Sequence, residues 1–166
     1  MSKKITLSSL TLAAALLLSY VESLIPPLIS AIPGIKMGLA NIAVIFALYC
    51  IGNKEALVVS FLRVVLSALL FGNMISLIYS LCGAILSFAI MALLKRFSPF
   101  SLFGISICGA VAHNVGQILA AIFVIGSVAI AYYLPILIVS AVITGAVIGL
   151  LSALVIGRIE KSKIIK

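Results

Sequence analysis

The chain has 166 residues, of which 65% are hydrophobic, and its 11 basic and three acidic residues give a net charge of +8. A soluble domain needs a polar face on each outer helix, and so few charged residues cannot supply one. Because an apolar run of about 20 residues spans a bilayer as a helix, this composition predicts an all-α integral membrane protein.

Six apolar runs follow one another, separated by proline, glycine, asparagine or charged residues that favour turns. The first ends at Pro26, the third before Gly72, and the fourth at Lys95 and Arg96. The predicted transmembrane helices are about 7–25, 35–51, 55–71, 74–94, 102–125 and 134–157. No linker is long enough to separate domains, so residues 1–166 are predicted to form one six-helix domain.

The positions of lysine and arginine predict the orientation, because short cytoplasmic loops carry an excess of these residues. With the N-terminus inside, nine of the 11 basic residues fall in cytoplasmic segments. Only Lys36 falls in an outer loop, and Arg63 lies within the third span. Both termini are therefore predicted to be cytoplasmic. Topology accounts for the positive charge, and we expect no nucleic-acid binding.

The N-terminal segment allows a second interpretation. Residues 1–20 combine a basic start with an apolar stretch, as secretory signal peptides do. No convincing cleavage site follows, and cleavage would leave five spans with a reversed charge count. We therefore expect this segment to remain as the first span.

Small residues recur at every fourth position in three predicted spans, a pattern that lets membrane helices approach closely. The three rows are Thr11, Ala15 and Ser19 (beside Ser9 and Ala13), then Gly104, Cys108, Ala112, Gly116 and Ala120, and then Ala141, Gly145, Gly149, Ala153 and Gly157. We expect each row to pack inside the bundle, although the first could instead face another subunit.

Polar side chains within apolar spans are costly, and they usually mark functional sites. Those predicted in the outer half are Glu22, Lys36, Asn41 and Tyr79. Those predicted near the midplane are Arg63, His113, Asn114 and Gln117. A cavity open to the outside and closed near the midplane would collect all of them. Its excess of hydrogen-bond donors predicts a ligand with an anionic or strongly accepting group, and arginine suits a planar carboxylate or phosphate.

The same residues also allow a structural interpretation. Arg63 and Glu22 can neutralise each other as an ion pair across two helices. His113, Asn114 and Gln117 can tie helices together by hydrogen bonds. For the set as a whole, a shared binding cavity is the favoured prediction.

Motifs for catalysis are missing from the sequence. There is no G-x-x-x-x-G-K-[ST] phosphate loop, so the chain is not expected to hydrolyse ATP by that route. One histidine and no aspartate argue against a two-histidine metal site and against the aspartate-held Mg²⁺ of prenyl diphosphate synthesis. Cys50, Cys82 and Cys108 lie within predicted spans without metal-binding spacing. We expect no enzymatic activity, no catalytic residue, no metal and no cofactor.

Four short runs of sequence resemble a known family. They are residues 33–41, 76–83, 109–117 and 132–135. Over about 10–157 the chain resembles the bacterial Gx transporter family, which also carries the label heptaprenyl diphosphate synthase component I. The run 109–117, which contains His113, Asn114 and Gln117, is the most specific, because a polar cluster within a span rarely recurs by chance.

This resemblance implies an S-component-like six-helix bundle in the bacterial cell membrane, similar to the substrate-binding subunit of energy-coupling factor transporters. Such a subunit captures a small molecule from outside and works with a transmembrane coupling subunit and two ATPases. The first row of small residues would be its docking face. Lys36 and Asn41 would line the mouth of the cavity and Tyr79 its wall. Arg63, His113, Asn114 and Gln117 would form its floor.

Two alternatives stay open. The family label favours a non-catalytic membrane accessory subunit for isoprenoid or quinone synthesis, and members are also similar to a membrane protein of flavin-based extracellular electron transfer. A secondary transporter that works as a homodimer is the other alternative. The sequence does not name the ligand, which we expect to be anionic or heteroaromatic.

Overall fold

The computed structural model describes residues 2–24, 38–97 and 100–161, and this part of the chain contains helices and no strands. The six α-helices are α1 (Ser2–Leu24), α2 (Asn41–Cys50), α3 (Asn53–Phe71), α4 (Met74–Arg96), α5 (Leu102–Ile125) and α6 (Leu134–Lys161). A short 3-10 helix, Val128–Tyr133, precedes α6. The prediction of an all-α protein is confirmed.

Four helical segments of the described part are long and apolar enough to cross a membrane. They are Lys3–Leu24, Met74–Arg96, Leu102–Ile125 and Val128–Ile159. The 10 residues of α2 rise only about 15 Å, half the hydrocarbon thickness of about 30 Å. The 19 residues of α3 include Lys54, Glu55 and Arg63, which lower its hydropathy. Length and composition therefore identify a membrane-embedded protein with four clear spanning candidates.

The helix ends differ from the predicted spans where charged residues follow an apolar run. α1 begins at Ser2 and includes Lys3 and Lys4, and α6 continues to Lys161. Lysine is a good helix former, and cations stabilise the last turn of a helix, so neither run stops where its hydropathy falls. The predicted start of the second span near residue 35 lies outside the described residues.

The helices form a closed ring in the order α1, α3, α4, α5, α6 and α2, and α2 also packs against α3. The side chains of Val44, Ile45 and Leu48 on α2 are all at most 1% exposed. On the outer surface, by contrast, large apolar side chains such as Phe123 (89%) remain exposed. The bundle is thus apolar both at its centre and around its circumference, as a protein surrounded by lipid must be.

α1 and α3 lie side by side and run in the same direction. At one end, Lys4 Nζ lies 3.7 Å from Glu55 Oε1. At the other end, the ring centroids of Tyr20 and Phe71 lie 5.2 Å apart. Lys95 at the end of α4 belongs to the first of these ends, because its Nζ lies 3.5 Å from Asn53 Oδ1 and also donates to the carbonyl oxygen of Leu48. We call the end that carries Lys4, Glu55 and Lys95 the lysine end.

Small residues allow close contact along α5, as the second row predicts. A Cβ atom on Gly116 would lie 2.7 Å from the carbonyl oxygen of Cys82 and 2.9 Å from Cα of Gly83 on α4. On the α6 side, a Cβ atom on Gly145 would lie 2.9 Å from Cα of Ile107. The hydroxyl of Ser106 on α5 donates to the carbonyl oxygen of Gly145 at 2.8 Å. Internal packing of these two rows is confirmed for Gly116 and Gly145.

In a long row of small residues at every fourth position, the later members no longer face the interior of the bundle. Ala141 and Gly149 are buried but Ala153 is exposed, because a four-residue step turns a helix by about 40° more than one full revolution. On α1, Thr11 and Ala15 are 5% and 0% exposed. These two residues pack inside the bundle, so the docking face implied by the family resemblance does not include them.

Candidate binding cleft

A polar cleft lies towards the end of the bundle opposite the lysine end. Its walls come from the last turns of α1, the second half of α3, the first turns of α2 and α4, and the middle of α5 and α6. With the predicted orientation, the cleft would extend from the outer side of the membrane to about its midplane. That orientation stays a prediction.

The structure brings most of the predicted site residues to this cleft. The lining includes Asn41, Arg63, His113, Asn114 and Gln117, together with Glu22.

Two predicted residues stand apart from this group. Tyr79 is half-buried on α4 but does not belong to the described lining, which takes Ser76 and Ser80 from that helix. Position 79 lies about 100° around the helix from position 80, so the tyrosine leaves the face that its neighbours share. Lys36 lies outside the described residues.

Arg63 is the most unusual side chain of the cleft. It is only 8% exposed, and its buried Nε has no hydrogen-bond partner in the described part of the chain. A buried guanidinium N–H without an acceptor is unfavourable, because the protein has removed water from it without replacing the hydrogen bond. The carboxylate of Glu22, which also lines the cleft, attracts the positive charge of Arg63. An anion entering the cleft would supply the missing acceptors.

Glu22 also contacts the chain just before α2. Its Oε1 accepts a hydrogen bond from the backbone N–H of Gly38. Gly38 has a φ of +72°, in the left-handed region that favours glycine, and its carbonyl oxygen accepts from the backbone N–H of Asn41 at 2.8 Å. Glu22 thereby connects the end of α1 to the turn that starts α2.

The α5 side of the cleft depends on the close approach of α4. A Cβ atom on Gly83 would lie 2.9 Å from Cε1 of His113 and 3.0 Å from Cγ of Gln117, so glycine leaves room for both side chains. Asn114 has a structural role as well, because its Nδ2 donates to the carbonyl oxygen of Leu137 on α6 at 2.9 Å. Only the rest of its amide remains available to the cleft.

Hydroxyl groups line much of the remaining surface. They belong to Ser19, Ser23, Ser67, Ser76, Ser80 and Thr144. Ser76 is placed by the N-terminal cap of α4, in which Asn73 Oδ1 accepts from the Ser76 backbone N–H at 2.8 Å. Sequence reasoning missed Thr144, although it is the only threonine in the sixth span.

These groups determine what the cleft can do chemically. It offers one guanidinium, three amides, an imidazole and several hydroxyls against a single carboxylate. Across the described residues, no group of three histidine, cysteine, aspartate or glutamate side chains is placed to hold a metal ion. The arrangement suits recognition of a polar, negatively charged small molecule by hydrogen bonds.

The sequence matches one protein family. The family model described as heptaprenyl diphosphate synthase component I covers residues 11–155, which include every described residue of the cleft. No curated protein and no solved structure matches the chain. Because the match covers most of the 166 residues, the chain belongs to the heptaprenyl diphosphate synthase component I family.

Proposed function

We propose that this protein is a non-enzymatic, substrate-binding membrane subunit of a transporter, which captures a small anionic molecule from outside the cell. Six helices would cross the bacterial cell membrane with both termini in the cytoplasm, and the cleft would open outward. A transmembrane coupling subunit and two ATPases would supply the energy, since the chain carries no phosphate loop of its own.

One observation carries this proposal: Arg63 is buried in a polar cleft, and its Nε has no partner among the residues that the structure describes. A purely structural arginine would be expected to have its hydrogen bonds satisfied by the surrounding protein. An arginine that binds a ligand can have N–H donors that the protein leaves unsatisfied and that the ligand accepts from. The planar guanidinium donates two parallel hydrogen bonds to a carboxylate or phosphate, which fixes the orientation of the ligand as well as its charge.

The lining favours an anion over a heteroaromatic ring. Phe71 carries the one aromatic hydrocarbon ring of the described lining. This ring already packs against Tyr20, with the two ring centroids 5.2 Å apart. Tyr79, the predicted stacking wall, is not in that lining. Flat aromatic ligands usually bind between apolar and aromatic surfaces, whereas here hydroxyls and amides dominate.

A thiol-labelling experiment tests the outward opening and the sign of the charge without knowledge of the ligand. Cys50, Cys82 and Cys108 are replaced by alanine, and Ser80→Cys places one thiol in the cleft. Membrane-impermeant methanethiosulfonates that carry a sulfonate or a quaternary ammonium are then added from outside. The sulfonate should react faster, and Arg63→Gln should remove that preference.

The control thiol is Val128→Cys, because Val128 is 74% exposed and lies outside the described lining of the cleft. Its ratio of labelling rates by the sulfonate and the ammonium reagent should be the same with Arg63 and with Arg63→Gln. Failure of both reagents to reach Ser80→Cys from outside would overturn the outward-facing cleft.

Native mass spectrometry of protein extracted gently from its own membrane tests capture itself. The wild type should carry a small anionic adduct that Arg63→Gln loses. Arg158→Gln, at the end of α6 and away from the cleft, should keep it. An adduct retained by Arg63→Gln would remove arginine from the proposed site.

The family name supports a second candidate function, a non-catalytic membrane accessory subunit for isoprenoid or quinone synthesis. Flavin-based extracellular electron transfer is a related setting. Co-purification distinguishes these candidates. A coupling subunit with two ATPases supports transport, whereas a soluble prenyltransferase or a dehydrogenase supports the accessory role.

A further inference from the structure

A second groove lies between α1 and α3, near the lysine end and away from the cleft. Its walls are mostly apolar and include Ile5 and Leu12 from α1 and Val58 and Leu62 from α3. Val58 is 53% exposed although it lies within a predicted span, so this surface would face lipid. None of the residues that line the groove belongs to the cleft.

The lining changes from charged to apolar along the groove. Lys4, Lys54 and Glu55 lie at the lysine end, where two ammonium groups face one carboxylate. Leu12 and Leu62 each lie eight residues further along their parallel helices, which is about 12 Å. The groove therefore has the polarity of an amphiphile, with a cationic end at the membrane surface and an apolar end at the depth of acyl chains.

A buried hydroxyl lies between these two ends. Ser8 Oγ is buried in the groove and has no hydrogen-bond partner in the described part of the chain. Thr11 on the same helix, by contrast, donates to the carbonyl oxygen of Leu7 at 2.7 Å. A hydroxyl at this depth suits an acceptor supplied by a ligand, such as the ester carbonyl between a lipid headgroup and its acyl chain.

We propose that the groove between α1 and α3 is a binding site for an anionic phospholipid. The phosphate contacts Lys4 and Lys54, the ester region meets Ser8, and an acyl chain lies along Val58 and Leu62. Lys4 then exchanges part of its exposed pairing with Glu55 for the phosphate, at little cost because exposed ion pairs contribute little. Basic pockets between membrane helices on the cytoplasmic side bind anionic headgroups for the same reason.

The test uses the full chain in nanodiscs that contain equal amounts of phosphatidylglycerol and phosphatidylcholine, followed by native mass spectrometry of retained lipid. The wild type should retain phosphatidylglycerol preferentially. In the double variant Lys4→Gln and Lys54→Gln, that preference should fall by about fivefold for each lysine removed. Lys161→Gln removes a lysine of α6 outside the groove and should leave the preference unchanged.

A second variant tests the apolar end without changing charge. Val58→Trp fills the groove and should lower phosphatidylglycerol retention, whereas Val139→Trp, on α6 at a position that is 62% exposed, should not. Equal retention by the lysine double variant, or by Val58→Trp, would overturn the site.

Two further results would also overturn the lipid assignment. One is saturable binding of glycerol 3-phosphate alone, which would indicate a site for a free phosphate. The other is crosslinking of a photoreactive residue at Ser9, which lines the groove, to a protein helix in native membranes, which would show that the groove is a protein interface.

Discussion

Glu22 Oε1 accepts a hydrogen bond from the backbone N–H of Gly38, so the carboxylate near the end of α1 holds the turn that begins α2. The same carboxylate attracts the guanidinium of Arg63. The Glu22 side chain thus accepts a backbone hydrogen bond at the cleft and also partly neutralises the buried cation of Arg63. These two roles can be separated, because a glutamine keeps the accepting oxygen and loses the charge.

Glu22→Gln should increase the preference of the Ser80→Cys thiol for the sulfonate reagent. Without the carboxylate, the positive potential of Arg63 is no longer offset, and about 1 kcal/mol of interaction corresponds to about fivefold in the ratio of labelling rates. Glu55→Gln, which removes a carboxylate at the lysine end, is the control and should leave the ratio unchanged. A ratio that falls in Glu22→Gln would show that Glu22 does not oppose Arg63.

Arg63→Lys should separate charge from geometry. Lysine keeps a positive charge but lacks the planar fork that binds two oxygens. The sulfonate preference at Ser80→Cys should therefore persist within about twofold of the wild type, whereas the anionic adduct in native mass spectra should be lost. Retention of the adduct would indicate recognition by charge alone.

Gly116→Ala should destabilise the bundle by about 1–3 kcal/mol, because its new methyl would meet the backbone of α4 at 2.7 and 2.9 Å. Gly157→Ala is the matched control, since no described residue lies within 4 Å of a Cβ atom there. The control should be neutral or slightly stabilising, as alanine is the better helix former. Thermal unfolding of both variants in detergent measures the difference, and equal midpoints would contradict the close approach of α4 and α5.

Ser106→Ala and Ser152→Ala should differ although both serines are buried. The hydroxyl of Ser106 donates to the carbonyl oxygen of Gly145 at 2.8 Å, so its loss should cost about 0.5–1.5 kcal/mol. Ser152 Oγ has no hydrogen-bond partner in the described part of the chain, so its removal should be neutral or stabilising. The unfolding midpoints of the two variants measure this difference. A larger loss of stability for Ser152→Ala than for Ser106→Ala would contradict the assigned hydrogen bond.

The sequence was sufficient to predict the helices and the polar residues within them that the cleft brings together, although not the rest of its lining. Hydropathy and turn residues located α5 to the residue, at Leu102–Ile125. Arg63 and His113 were predictable because polar groups in an apolar span converge where they can share a polar environment. This prediction needs only the position of each polar residue within its own span, and it does not require knowing which helices are neighbours.

Other features depend on tertiary contacts that a single sequence does not contain. The burial of α2 depends on its contacts with α1, α3 and α6, and the Asn114–Leu137 hydrogen bond depends on the packing of α5 on α6. The described lining includes Thr144, which was not predicted, and does not include Tyr79, whose role in ligand binding stays a prediction. The rotation of α4 and α6 about their axes, which decides both positions, is set by packing. Hydrophobic periodicity is weak in helices that are apolar on every side, so it could not fix that rotation.

The parallel course of α1 and α3 has a mechanical consequence. α3 carries Lys54 in its first turn and Arg63 about 14 Å further along, and a helix of this length moves as a stiff rod. A lipid that displaced the start of α3 from α1 would therefore also move the guanidinium relative to the imidazole of α5. Under the two proposals above, the lipid composition of one leaflet would then affect how far the cleft opens on the other side of the membrane.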